Sequence, residues 1–161
     1  MNFFTWELLI KAITAFLSSV GFAIILRISP RHLIEASLGG MMTYLIYYTV
    51  MYFGLGYFAA GFISTTFAAL FAETMARVKR APAIVYLLPG VIPTVPGGDL
   101  YRGMRDLISG SIDTALANFS IAVNIALGIA GGIVTVSILF GIITDNIKRI
   151  KAKRNQADNR S

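Results

Sequence analysis

Apolar residues in this chain run in blocks of about twenty, and that block length is the strongest constraint on what it can fold into. An α-helix needs roughly twenty residues to cross ~30 Å of hydrocarbon, and each peptide group in such a crossing must find its partner inside the protein. Composition agrees with the pattern. Of 161 residues, 56% are hydrophobic and 14% charged, with a mean hydropathy of +0.71; a soluble domain of this size could not bury so much apolar surface. The sequence therefore predicts an all-α, polytopic membrane protein.

Five hydrophobic segments are read as spans: Thr5 to Leu26, Leu33 to Phe53, Gly56 to Ala76, Pro82 to Val95 and Ala115 to Thr144. They make up a transmembrane domain over residues 1–145, followed over residues 146–161 by a basic cytoplasmic tail, expected to be a frayed helix end on anionic headgroups. The first segment is read as a retained span, because it lacks the basic n-region and cleavage site of a signal peptide. The fourth is the short one. Its fourteen residues would reach roughly 21 Å even if fully helical. Pro82, Pro89 and Pro93, followed by Pro96, argue against an unbroken helix there.

Orientation is read from lysine and arginine in the connections. The first carries Arg27, Arg31 and His32; the second, at Gly54 and Leu55, carries no charge; the third carries Arg77, Lys79 and Arg80. In the fourth, Arg102 and Arg105 are outnumbered by Asp99, Asp106 and Asp113, and the tail is strongly basic. This alternation fits five spans with the N-terminus outside and the C-terminus cytoplasmic. The net charge of +6 thus reads as topology, not as a nucleic-acid footprint.

Catalytic signatures are missing. The sequence holds no Walker A loop, HExxH or GxSxG and no cysteine, so neither an enzyme nor a cofactor is expected. Gly54-Leu-Gly56-Tyr-Phe-Ala59 matches the loose dinucleotide pattern without the strand that would give it meaning. His32 reads as a boundary residue. Glu73, four residues before Arg77, and Glu7, four before Lys11, are each read as the start of an i,i+4 pair. Glu73 is retained as a candidate coupling group because ionisable residues near spans are costly.

The sharper signal is Leu88-Pro-Gly-Val-Ile-Pro-Thr-Val-Pro-Gly-Gly-Asp-Leu-Tyr-Arg-Gly-Met104. Prolines and glycines clustered at membrane depth free backbone groups, which is tolerable only where protein or a water-lined cavity satisfies them; broken helices of this kind form solute sites in secondary transporters. Pro89, Gly90, Pro93, Pro96 and Gly97 are therefore candidate substrate-binding residues, with Asp99, Tyr101 and Arg102 at the outer mouth. A kinked span without a ligand is the plainer alternative. Beyond the break, Leu100, Met104, Leu107 and Ile108 make one face of a short interfacial helix, expected to be capped by Asp99. In the fifth segment Ser120, Asn124, Gly128 and Gly132 recur every four residues, with Asn118 nearby. The glycines read as helix packing; Asn118 and Asn124 read equally as packing or pore-lining groups, and both join the candidate site. Gly56 with Ala60 and Gly61 with Thr65 mark the third segment as a second close-packing helix.

The run from Pro89 to Gly97, with Tyr101 and Met104, resembles the hallmark of the ThrE-type threonine/serine exporter family. More narrowly, it is similar to the short (YjjB-like) subunit that corresponds to the second half of the fused exporters. Asn118-Phe119 and Val20-Gly-Phe-Ala23 extend the likeness over roughly residues 20 to 140. The resemblance implies a subunit, in the bacterial cell (inner) membrane, of a secondary transporter exporting small carboxylate-bearing metabolites, threonine and serine or a dicarboxylate such as succinate. It also implies a larger membrane subunit supplying the other half. A non-transporting membrane scaffold is the alternative, and oligomeric state is left open.

Overall fold

A computed structural model describes residues 6–158, with side chains described for residues 6–144. Every regular element among the described residues is helical. The order is α1 (Trp6–Ile25), α2 (Pro30–Tyr52), α3 (Tyr57–Lys79), α4 (Ile84–Val91), a 3-10 turn (Ile92–Thr94), α5 (Gly97–Ile108) and α6 (Ile112–Asp158). Three of these are long and apolar enough to cross a membrane: Trp6–Ile25, Tyr57–Lys79 and the Ile112–Thr144 part of α6. At 23 residues α2 has the length, but Arg31, His32, Glu35 and its small and hydroxyl-bearing residues make it less apolar.

The loops turn where the chain allows left-handed backbone. Gly54 (φ 73) and Gly56 (φ 87) reverse the chain between α2 and α3, and Gly110 (φ 81) does so between α5 and α6. Arg80 takes the same conformation at the C-cap of α3, with φ 53.

The buried surface consists largely of alanine, serine, threonine and glycine, as membrane helices require when backbones approach closely. Ala60, Gly61, Ser64, Thr65, Ala68, Ala69 and Ala72 are the buried residues of α3. One side of α3 meets α6, and the two run parallel. Gly61 abuts the Ile125 carbonyl and Gly128, Gly132 abuts Phe62 and Thr65, and the far end is closed by Arg77, whose Nη2 donates to Thr144 Oγ1 at 3.1 Å. Gly128 and Gly132 thus pack helices, as their spacing predicts. The other side of α3 faces α2 and α4, where the fully buried Tyr86 packs with Ala36 and Ala72.

Because Ile125 lies opposite Gly61, the stretch from Ile112 to Ile125, roughly 20 Å at 1.5 Å per residue, runs mostly past the start of α3. Along it α5 folds back as the other arm of a hairpin. Gly103 sits under the ring of Phe119, and Asn118 Nδ2 donates to Asp106 Oδ2 at 3.0 Å. The apolar row Leu100, Met104, Leu107 and Ile108 points away from the chain and is exposed, while Gly103 and Asp106 face α6. The α6 backbone stays helical to Asp158.

Candidate functional site

The proline-rich segment folds in two parts. An α-helix runs from Ile84 through Pro89 to Val91, and the chain then tightens into the turn Ile92–Thr94 and leaves helical geometry at Val95, whose ψ is 130°. From Ile84 to Thr94 it rises only about 17 Å, near half the hydrocarbon thickness. The break lies at Ile92–Pro96, inside the bundle.

Each proline removes an N–H and strands one carbonyl a turn earlier. Pro93 strands the carbonyl of Pro89, and the structure fills that position from another helix: buried Ser19 Oγ on α1 donates to Pro89 O at 3.0 Å. Thr94 Oγ1 donates to Val91 O at 2.7 Å, and the Val95 amide donates to Ile92 O at 3.1 Å. Space for the crossing comes from Gly40 on α2. A Cβ there would collide with Ser19 Oγ and lie 2.7 Å from Pro89 O, so α1, α2 and α4 meet at one point.

Beside this crossing lies a cleft of about 190 Å³ lined by Thr14, Ala15, Ser18, Tyr44 and Pro93. Sequence reasoning missed Ser19, Gly40, Ser18 and Tyr44. The signals were present as two adjacent serines inside an apolar block and the pair Gly39-Gly40 in the next.

Of the candidate residues, Pro89, Gly90 and Pro96 are buried, Pro93 is half-buried against the cleft and Gly97 is exposed at the start of α5. Asp99 does not cap that helix. The N-cap is Pro96, without a side-chain bond, and Asp99 sits in the first turn, accepting from Arg102 Nη2 at 2.7 Å. Its negative charge there complements the helix dipole. Tyr101 and Arg102 are exposed on α5.

Asn118 belongs to the hairpin through Asp106, and Asn124, exposed on α6, donates to the Ser120 carbonyl at 2.8 Å. These polar contacts tie neither residue to the broken segment. Glu73 lies 3.9 Å from Arg77, in a cleft with Ser137, Phe140, Gly141 and Thr144 between α3 and α6. The Glu7–Lys11 pair is not formed; Lys11 Nζ instead lies 3.7 Å over the ring of Tyr48.

At the opposite end of the bundle, Tyr86 Oη and His32 Nδ1 share a 2.7 Å hydrogen bond, and Lys79 Nζ donates to Glu35 Oε1 at 2.6 Å. Together they tie the starts of α2 and α4 to the end of α3. His32 is thus a structural partner of a buried tyrosine.

The family model described as Threonine/Serine exporter, ThrE matches residues 11–139, which take in the break, the crossing and the small-residue α3–α6 contact. Comparison with curated proteins returned no match, and neither did comparison with solved structures. The match makes this a membrane transport protein of the amino-acid export class: the chain belongs to the threonine/serine exporter (ThrE) family.

Proposed function

We propose that the chain is one subunit of a secondary exporter of small carboxylate-bearing metabolites, threonine and serine or a dicarboxylate such as succinate. It works with a larger membrane subunit that supplies the other half. The observation that carries this reading is the break at Ile92–Pro96, set beside a cleft with three hydroxyl-bearing residues and held by Ser19; the reading puts that break inside the bilayer. Irregular backbone at such depth is stable only next to protein or water, and secondary transporters place their solutes there. Asn124 and Ser120, exposed on α6 where the Asn124 amide bonds only the carbonyl one turn back, suit a contact with a helix of the larger subunit. The alternating loop charges support an inner-membrane subunit with its N-terminus outside and its C-terminus cytoplasmic.

The test is efflux of labelled threonine, serine and succinate from cells making both subunits, with Gly90→Trp and Gly97→Trp as variants. At Gly97 a Cβ meets nothing within 4 Å, and at Gly90 it lies 3.9 Å from Ala68, so Gly97→Trp tests the mouth with the least disturbance of packing. Efflux should fall at least about tenfold; unchanged efflux in both would remove the site.

One observation favours a second reading. The carbonyls of Pro89 and Val91 are already occupied by Ser19 and Thr94, as in a scaffold whose break serves only packing. Full-rate transport by the larger subunit alone would establish that reading.

A further inference from the structure

The cleft beside the break has unmet hydrogen-bonding capacity. Of its three hydroxyls, that of Thr14 is committed to the carbonyls of Ile10 and Lys11, at 2.9 and 3.0 Å. Those of the half-buried Ser18 and Tyr44 make no hydrogen bond among the described residues, and neither is sealed off without one. Both residues, from different helices, line one cleft, so both hydroxyls are open to water or to a solute there. The neighbouring Ser19 is spent on Pro89, so adjacent serines divide the work, one closing the crossing and the other lining the cleft.

A cation stands one turn away. Lys11 precedes Thr14 by three residues and Ser18 by seven, which puts all three on one face of α1. Its ammonium reaches across to α2 and lies 3.7 Å from the centroid of the Tyr48 ring, one turn along from Tyr44. A ring face holds a cation without neutralising it. Among the described residues no carboxylate pairs with Lys11, so it can still take an anion.

The cleft's 190 Å³ equals the share of about six waters at ~30 Å³ each. That is room enough for a three- or four-carbon acid. From these observations we infer that the cleft between α1, α2 and Pro93 is the seat of the solute, with the carboxylate on Lys11 and the hydroxyl or second acid group on Ser18 and Tyr44. The inference rests on the exporter reading and gives that reading its binding residues.

The chain has no cysteine, so Ser18→Cys introduces a single thiol into the full-length protein. Labelling of it by a water-soluble thiol reagent, in membranes with the partner subunit present, should be slowed about tenfold by saturating L-threonine or succinate. A thiol at Ser109→Cys, exposed in the turn after α5, should be indifferent to either acid. In the Ser18→Cys background, Lys11→Gln should raise the concentration needed for protection about tenfold, the effect of losing a charge-assisted contact. Lys11→Arg, which keeps the charge, should stay within about threefold, and Tyr44→Phe, which keeps the ring, should weaken protection several-fold.

The two readings fail separately. Efflux without protection at Ser18→Cys would overturn the cleft as the site and leave the exporter standing. Protection without efflux from wild-type cells would keep the site and overturn export. Equal protection in Lys11→Gln and the parent would remove the cation from the proposal.

Discussion

Ser19 and Pro89, 70 residues apart in sequence, are joined by a 3.0 Å hydrogen bond in which the serine hydroxyl serves the carbonyl that Pro93 leaves without an amide. Gly40 closes on the same point, where a side chain of any size would strike both groups. The broken helix is therefore held by specific contacts and not by loose packing.

Ser19→Ala should strand a buried carbonyl and cost about 1–3 kcal/mol, read as a lower thermal midpoint in detergent. Gly40→Ala should cost at least as much, since its Cβ would also lie 2.9 Å from Ser19 Cβ. The double variant should cost less than the sum, because both changes disrupt one contact; strict additivity would mean the two residues act separately.

The α3–α6 contact makes a graded prediction. A Cβ at Gly128 would strike the Phe58 carbonyl and lie 2.9 Å from the Phe62 amide, whereas at Gly141 it meets nothing within 4 Å. Gly128→Ala and Gly132→Ala should each cost about 1–3 kcal/mol through overpacking, and Gly141→Ala should stay within about 0.5 kcal/mol of the parent. Thermal unfolding of the three purified variants checks the order.

Burial separates the two polar ties at the other end of the bundle. Tyr86 is fully buried, while the Lys79 and Glu35 side chains are 41% and 26% exposed. Tyr86→Phe should cost about 1 kcal/mol or more through the lost bond to His32. Glu35→Gln should cost less than about 1 kcal/mol, as exposed pairs do, and should lose even that in high salt. Unfolding at two ionic strengths distinguishes them.

The hairpin depends on one tight contact and one polar bond. Gly103→Val would push against the Phe119 ring, whose atoms lie 2.9 to 3.1 Å from a Cβ there, and Asn118→Ala would remove the bond to Asp106. Either change should loosen α5 from α6, seen as faster proteolysis or hydrogen exchange between Gly97 and Gly110. The α3–α6 contact should be unaffected.

Block length made the helical membrane architecture and three long apolar helices legible, and four-residue spacing marked Gly128 and Gly132 as packing positions. The place of the break was less legible. One proline, Pro89, is absorbed within α4, because neighbouring helices can compensate a single missing bond. The chain gives way only at Ile92–Pro96, where two further prolines follow within a turn of each other. Ser19 could not be paired with Pro89 from local pattern, since no periodicity links residues so far apart. Lys11 was misread because spacing offered Glu7 as a partner, whereas the chain brings the face of Tyr48 to it. Asp99 looked like a cap because the true N-cap, Pro96, has no polar side chain to announce itself.

The central claim is that solute reaches the broken helix from water. Single cysteines placed in turn from Leu88 to Gly98 in the full-length chain, with the partner subunit present, test it through a membrane-impermeant thiol reagent. The account predicts that Pro93, Val95 and Gly97 positions react, that buried Gly90 does not, and that threonine or succinate slows the reaction at Pro93. A uniformly unreactive segment, or reaction untouched by either acid, would contradict it.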